Sequence, residues 1–167
     1  MTSVVVKGHP LHPILVGIPI GLLTFSFVSD VLYRTTGHLP WSTVALYTLG
    51  GGIAGALLAA VPGFLDLVWI RDPLSKRTGL MHMTANLAAV AMFAVSFWRR
   101  LEGDASDLPV ALSFVGFALM GIAGWLGGEM VFVQGVGVGA GAHSQTRLEV
   151  SDSPGGATTE STKLHAD

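Results

Sequence analysis

The chain has 167 residues, of which 50% are hydrophobic and only 12% are charged, and its mean hydropathy is +0.60. The formal net charge of −2 gives no reason to expect nucleic-acid binding. Because the sequence contains no cysteine, this chain cannot itself form disulfides, thiolate metal sites or iron–sulfur clusters. Soluble domains carry roughly 25% charged residues, so the composition indicates a membrane protein.

Four long apolar stretches account for this composition. Each is at least about as long as the roughly 20 residues that a helix needs to cross the hydrocarbon core of a bilayer. We predict membrane spans at about residues 13–33, 43–70, 78–98 and 108–136. The predicted fold is therefore an all-α integral membrane four-helix bundle with antiparallel up-down order. The first apolar stretch is too long for the core of a signal peptide, which indicates that it is retained.

The remaining segments are polar. Residues 143–167 are rich in Ser, Thr and Gly and have little to bury, so we predict a disordered tail after a transmembrane domain of residues 1–142. Trp41, Trp69 and Trp98 stand at predicted span ends, where an amphipathic indole ring suits the headgroup region. Four spans place both termini on one side of the membrane, and the distribution of Lys and Arg favours cytoplasmic termini.

Small residues indicate how the helices pack. In the second span Gly51, Gly55, Ala59 and Gly63 follow one another at intervals of four. Lipid offers no hydrophobic driving force for helix association, so helices approach closely at such residues instead. We therefore expect tight packing, either within one chain or between copies in a homo-oligomer. The four spans show no obvious two-halved repeat, so a transport function would require an oligomer.

The ionisable side chains within the spans gather near one end of the predicted bundle. Because successive spans are antiparallel, this is the end that carries the termini. Asn86 follows His82 by four residues and shares its helix face, whereas Asp30 lies toward the opposite end. Ionisable groups inside a membrane are costly and usually face the bundle interior, so the cluster is a candidate site. Its members are His9, His12, Asp66, His82 and Glu129.

Several of these side chains also have a purely structural interpretation. His9 and His12 would lie at the interface, where the prolines that follow them fix the start of the first helix. His82 is deeper and has Asn86 beside it. Glu129 is deeper still and would need a cationic partner or a proton.

The acids near helix carboxyl ends need a separate explanation. The helix dipole disfavours anions there, so ordinary capping does not account for Asp30 or Asp66. Asp66 would instead pair at the membrane interface with a cation of the following loop. The candidates are Arg71, Lys76 and Arg77.

The same residues resemble a family of bacterial predicted four-helix membrane proteins. That family is classed as a domain of unknown function and begins with a His-Pro-x-His-Pro motif, which here is His9-Pro10-Leu11-His12-Pro13. The resemblance covers residues 8 to 140, and the opening motif together with a closing glycine–valine segment is fairly specific. The other matching positions are Asp30, Gly63 with Asp66, His82 with Asn86, Gly127-Gly128-Glu129 and Gly135-Val136-Gly137-Val138.

The resemblance implies a multi-pass protein of the bacterial inner membrane. Members of the family resemble partners of redox modules, and some are joined to Rieske-type iron–sulfur domains. This chain would then work in the lipid bilayer beside a separate redox protein, such as a Rieske-type or cytochrome partner. Two positions depart from the expected pattern, because Gly17 replaces another histidine and Glu129 stands where an apolar residue is expected.

The first functional hypothesis is a redox-associated membrane subunit that binds haem b or quinone in the bundle. His12 and His82 would be the axial ligands of the haem iron. Carboxylates near the cofactor would tune its potential or carry protons. The cofactor-binding set is His12, His82, Asp66, Asn86 and Glu129.

Two other functions stay open. A divalent metal or a proton pathway would use the same imidazoles, with His9, His12 and His82 as the metal ligands. Alternatively, the chain is a non-catalytic accessory membrane protein whose polar cluster satisfies itself. The sequence contains no G-x-S-x-G, Walker A or H-E-x-x-H motif, which gives no reason to expect an enzyme that acts by itself.

Overall fold

The computed structural model describes residues 4–7 and 9–137. Two short strands precede the helices and pair antiparallel, Val5 with Pro10 and Val6 with His9. The last helix continues into a short π-helix. In chain order the elements are β1 (Val5–Val6), β2 (His9–Pro10), α1 (Leu11–Leu15), α2 (Gly17–Thr36), α3 (Leu39–Trp69), α4 (Pro73–Leu101), α5 (Leu108–Gly128) and the π-helix Glu129–Val133.

The predicted all-α four-helix membrane fold is confirmed. Four helical segments of 26, 31, 29 and 26 residues are long and apolar enough to cross a membrane. They are Leu11–Thr36, Leu39–Trp69, Pro73–Leu101 and Leu108–Val133. The predicted tail, residues 143–167, lies outside the described residues and stays a prediction.

Proline and capping residues mark where several of the helices begin and end. Pro73 and Pro109 occupy the first turns of α4 and α5, where a missing N–H costs nothing. Asp72 caps α4, since its Oδ2 accepts the Ser75 N–H at 2.7 Å. That hydrogen bond lowers the pKa of the Asp72 carboxyl below its ordinary value. Gly37 ends α2 in the left-handed conformation, with φ of 68°.

The first span has an irregular turn near its start. Val16, between α1 and α2, keeps right-handed helical backbone angles, with φ of −64° and ψ of −22°. Pro19 has no N–H to donate to the carbonyl of Leu15, which removes one helical hydrogen bond at this point. The irregular turn separates α1, which carries His12, from α2, while the Val16 N–H still donates to the carbonyl of His12 at 3.1 Å.

The two helical hairpins of the chain repeat each other. The N-terminal hairpin comprises residues 11–69 and the C-terminal hairpin residues 73–133. Matching positions in their first helices are 70 residues apart: His12 and His82, Leu23 and Phe93, Ser26 and Ser96, Asp30 and Arg100. Matching positions in their second helices are 64 residues apart: Ala45 and Pro109, Gly52 and Gly116, Ala59 and Ala123, Gly63 and Gly127.

Matching residues make matching hydrogen bonds. The Ser26 hydroxyl donates to the carbonyl of Ala45 at 2.9 Å, and the Ser96 hydroxyl donates to the carbonyl of Pro109 at 2.6 Å. In both hairpins this bond ties the first helix to the start of the second. The four residues are all buried.

Matching residues also pack alike. Leu23 lies over Gly52 so closely that a Cβ there would come within 2.6 Å of the leucine side chain. Phe93 lies over Gly116 in the same way, with a Cβ approach of 2.9 Å. Leu23, Phe93, Leu49 and Ala89 form the buried core where the two hairpins meet.

The bundle is therefore a pseudo-two-fold pair of helical hairpins, which corrects the expectation that the sequence has no two-halved repeat. Both hairpins begin at the same membrane face, so the pseudo-two-fold axis runs along the membrane normal. Two matching residues that approach each other must lie at this axis. His12 with His82 and Asp30 with Arg100 are two such pairs.

Candidate functional site: an imidazole pair on the pseudo-two-fold axis

His12 and His82 face each other near the membrane end that carries the amino terminus. Their ring centroids are 6.4 Å apart and their ring planes are perpendicular. Both side chains are half-buried. The structure thus brings together the two histidines that the sequence selected, and we call them the imidazole pair.

Each imidazole is fixed by a backbone carbonyl of the second helix of its own hairpin. The Nδ1 of His12 lies 2.8 Å from the carbonyl oxygen of Ala59, and the Nδ1 of His82 lies 2.7 Å from that of Ala123. A carbonyl only accepts, so Nδ1 carries the hydrogen in both rings. Nε2 is then the atom with an available lone pair, which is the arrangement of an imidazole prepared to coordinate a metal.

A glycine seats each ring against its helix. A Cβ on Gly63 would come within 2.7 Å of the Nδ1 and Cε1 atoms of His12. A Cβ on Gly127 would come within 3.1 Å of the Cε1 atom of His82. Each glycine stands one helical turn after the alanine that accepts the imidazole hydrogen. The sequence interpretation gave Gly63 to helix packing; Gly63 and Gly127 also make room for the imidazole pair.

Asn86 makes the two halves of the site unequal. Its Nδ2 donates to the Nε2 of His82 at 3.1 Å and to the carbonyl oxygen of His82 at 3.0 Å. The matching position in the N-terminal hairpin is Val16, which offers no such donor. Within the described residues, the Nε2 of His12 has no hydrogen-bond partner.

Asp66 lies at the same end, but it hydrogen-bonds the amino-terminal segment of the chain rather than a cation. Its Oδ1 accepts the N–H of Val4 at 2.6 Å, which anchors the segment leading into β1. In residues 4–7 and 9–137, Asp66 forms no ion pair with the cations of the following loop. One of them, Lys76, instead donates to the carbonyl of Val68 at 3.2 Å.

The other two predicted site residues lie apart from the imidazole pair in their contacts. Glu129 is half-buried at the first position of the π-helix, and its carboxylate accepts no hydrogen bond from any described residue. His9 is exposed and its Nδ1 donates to the carbonyl of Lys7 at 3.1 Å. Over the part of the chain that the structure describes, no three His, Cys, Asp or Glu side chains group as they do around a metal ion.

Sequence reasoning missed the buried ion pair, Asp30 and Arg100, at the opposite end. Both Arg100 terminal nitrogens donate to Asp30 carboxylate oxygens at 2.7 Å. Arg100 also donates to the hydroxyls of Ser96 and Ser113, each at 3.2 Å. The side chains are only 1% and 12% exposed, and a cavity of about 360 Å³ borders them. Arg100 lies beyond the predicted third span, residues 78–98, but within α4.

A signal for both pairs was present in the sequence. The first helix of each hairpin reads His-x13-Ser-x3 followed by Asp30 or Arg100. The second helix of each reads Gly-x6-Ala-x3-Gly, ending at Gly63 or Gly127. Only an alignment of the chain with itself, allowing six residues of length difference between the helices, detects this repeat.

The predicted resemblance is confirmed, since the model of the family described as predicted membrane protein (DUF2231) matches residues 8–140. The chain belongs to this family. No curated protein and no solved structure matches the chain. The family indicates a membrane protein, and the structure has four helices long and apolar enough to span a membrane. The activity has to be argued from the site.

Proposed function

We propose that this member of the predicted membrane protein family binds haem b between His12 and His82 and serves as a membrane subunit in electron transfer. The supporting observation is the imidazole pair itself. Two histidines from matching positions approach each other inside the bundle with both Nδ1 atoms engaged by backbone carbonyls.

The spacing of the rings suits one metal atom between them. Two metal–nitrogen bonds of about 2 Å each and the width of one imidazole ring span roughly 6 Å between ring centroids. The centroids of His12 and His82 are 6.4 Å apart.

The ligand count favours haem over a bare divalent ion. A structural zinc site takes four protein ligands, and catalytic sites take three. The described residues offer two imidazoles, and a porphyrin supplies four further nitrogens to its iron. Haem would contribute one-electron redox chemistry, while the chain would contribute the ligands and a low-polarity surrounding. Asn86, which donates to the Nε2 of His82 in this structure, would have to release that atom for ligation.

The charge distribution supports cytoplasmic termini and a site in the cytoplasmic half of the membrane. Among the described residues, the terminal end carries four cations and the opposite end three, and the number of Lys and Arg near span ends sets orientation. The four are Lys7, Arg71, Lys76 and Arg77. The three at the opposite end are each paired with an acid. These pairs are Arg34 with Asp107, Arg99 with Asp104, and Arg100 with Asp30.

A visible spectrum tests the proposed cofactor. The protein is purified in mild detergent from haem-replete cells, incubated with added haemin, and measured oxidised and reduced. We expect a Soret band that is lost in His12→Ala and in His82→Ala. His38→Ala is the matched control, because this histidine lies next to α3 at the opposite end of the bundle and is exposed.

The other outcomes separate the alternatives. Stoichiometric bound zinc or iron without a Soret band would replace haem by a metal site on the same residues. A folded protein that takes up neither haem nor metal would overturn the proposal and favour an accessory role. Identical spectra for wild type and both histidine variants would place any bound haem elsewhere.

Orientation has its own test, because the chain contains no cysteine and any introduced thiol is unique. Lys7→Cys and Asp107→Cys are labelled in intact cells with a membrane-impermeant maleimide. We expect labelling of Asp107→Cys in intact cells and of Lys7→Cys only after permeabilisation. The reverse pattern would move the imidazole pair to the outer half of the membrane.

A further inference from the structure

We propose that the buried ion pair, Asp30 with Arg100, selects which helical hairpins associate. It would direct the N-terminal hairpin to pair with a C-terminal hairpin and would prevent either hairpin from pairing with another copy of itself. This inference concerns assembly and does not depend on the proposed cofactor.

The ion pair occupies matching positions of the repeat, yet its members have opposite charge. Asp30 and Arg100 are related by the 70-residue offset that also relates the two histidines. They meet through two hydrogen bonds of 2.7 Å and are almost fully buried. They therefore lie at the pseudo-two-fold axis, where replacing one hairpin by a copy of the other would change this contact directly.

The other matching contacts do not discriminate between the hairpins. Serine-to-carbonyl bonds, glycine seats and histidines recur in both halves, so their chemistry would serve a like pair as well as the natural pair. Two N-terminal hairpins would bring Asp30 against Asp30, and two C-terminal hairpins would bring Arg100 against Arg100. Like charges buried together are strongly unfavourable, which makes this a repulsive element against wrong partners.

The serines around the ion pair reinforce its direction. Ser96 and Ser113 both hydrogen-bond the Arg100 guanidinium. The position matching Ser113 in the N-terminal hairpin is Leu49, which cannot accept a hydrogen bond. The polar lining is thus built around an arginine in the C-terminal hairpin only.

The partner that fits each hairpin is the complementary hairpin, whether from the same chain or from a second copy. Only residues 70–72 connect α3 to α4, and short hinges favour exchange of elements between copies. A buried ion pair adds little net stability compared with well-packed apolar residues, so specificity is the better account of its presence.

Four variants of the full chain test the proposal. The double apolar variant Asp30→Leu/Arg100→Leu removes the selection without leaving a buried charge. The reversals Asp30→Arg and Arg100→Asp create like charges, and their combination restores an opposite pair. Arg34→Leu/Asp107→Leu is the matched control, because it removes an ion pair at the same end whose side chains are 41% and 86% exposed.

Assembly is measured by light scattering in detergent and by co-purification of two differently tagged copies. We expect the double apolar variant to stay folded but to gain a larger species and increased co-purification relative to wild type. Each single reversal should lose the folded species, and the double reversal should regain it less completely than wild type, because Ser96 and Ser113 surround a guanidinium in the natural arrangement. The control should match wild type in both measurements.

Two results would overturn the proposal. One is a double apolar variant that is folded and has the same mass distribution and co-purification as wild type. The other is a single reversal that assembles like wild type. Either would reduce the ion pair to an ordinary structural contact.

Discussion

The two ends of the pseudo-two-fold axis differ in the kind of residues that meet there. At one end like residues meet, His12 with His82, and at the other end unlike residues meet, Asp30 with Arg100. Within each hairpin the two positions are 18 residues apart, about 27 Å along a helix, so the pairs lie in opposite halves of the membrane.

The two pairs differ in whether their hydrogen-bonding groups all have partners. An aspartate and an arginine satisfy each other, and the described contacts of Arg100 leave its charge fully matched. Both Nδ1 atoms of the imidazole pair donate elsewhere, the Nε2 of His82 accepts from Asn86, and within the described residues the Nε2 of His12 has no donor. Among the described contacts, the like end therefore leaves one lone pair without a donor, on His12, whereas Asp30 and Arg100 satisfy each other.

The largest expected effect comes from breaking one member of each pair. Arg100→Leu leaves the Asp30 charge buried without a partner and should destabilise the fold by about 3–5 kcal/mol. His82→Leu removes only hydrogen bonds of a neutral group and should cost roughly 1 kcal/mol. Equilibrium unfolding in mixed micelles measures both. Equal losses would contradict the contrast between the two ends.

Filling the glycine seats sharpens the account of the like end. Gly63→Ala places a methyl group against the His12 ring and should cost about 1–3 kcal/mol while displacing the imidazole. Gly127→Ala should cost less, because its contact is looser. Gly21→Ala and Gly121→Ala are the matched controls, since nothing lies within 4 Å of either added carbon. A Gly63 variant as stable as these controls would argue against the seat.

The helices were predictable because apolar length reports the bilayer directly. The approach of His12 to His82 was also predictable in outline, since antiparallel threading alone puts both near one face. The ion pair was not, because hydropathy assigns a charged residue such as Arg100 to a loop. Only the repeat reveals that Arg100 continues the helix and matches Asp30.

Asp66 shows a second limit of sequence reasoning. Its position and charge predicted an ion pair with a cation of the following loop, yet its partner is the backbone N–H of Val4, in the segment before β1. Hydrogen bonds from the main chain satisfy a carboxylate without leaving a mark in the pattern of side chains.

Asn86 provides a smaller and more local test of the like end. Asn86→Val copies the valine at the matching position and removes the donor to the Nε2 of His82. We expect a stability change of about 1 kcal/mol or less. The ¹⁵N resonance of that nitrogen should move toward the value of an imidazole lone pair without a hydrogen bond, with the His12 resonance unchanged. An unshifted His82 signal would mean that the amide does not occupy this lone pair.

The smallest expected effect concerns the loop that joins the two hairpins, where Asp72 caps α4. The Ser75 N–H holds the pKa of Asp72 below the ordinary 3.8, so its contribution is fully present above about pH 4 and is lost as pH falls through the lower, folded value. Asp72→Ala should lower the Tm at pH 7, and this difference from wild type should shrink on acidification. Asp72→Asn retains a capping oxygen without the charge and should lie between the two at pH 7. If the wild-type advantage over Asp72→Ala were instead constant from pH 7 to pH 3, the carboxylate charge would have no part in holding the start of the C-terminal hairpin.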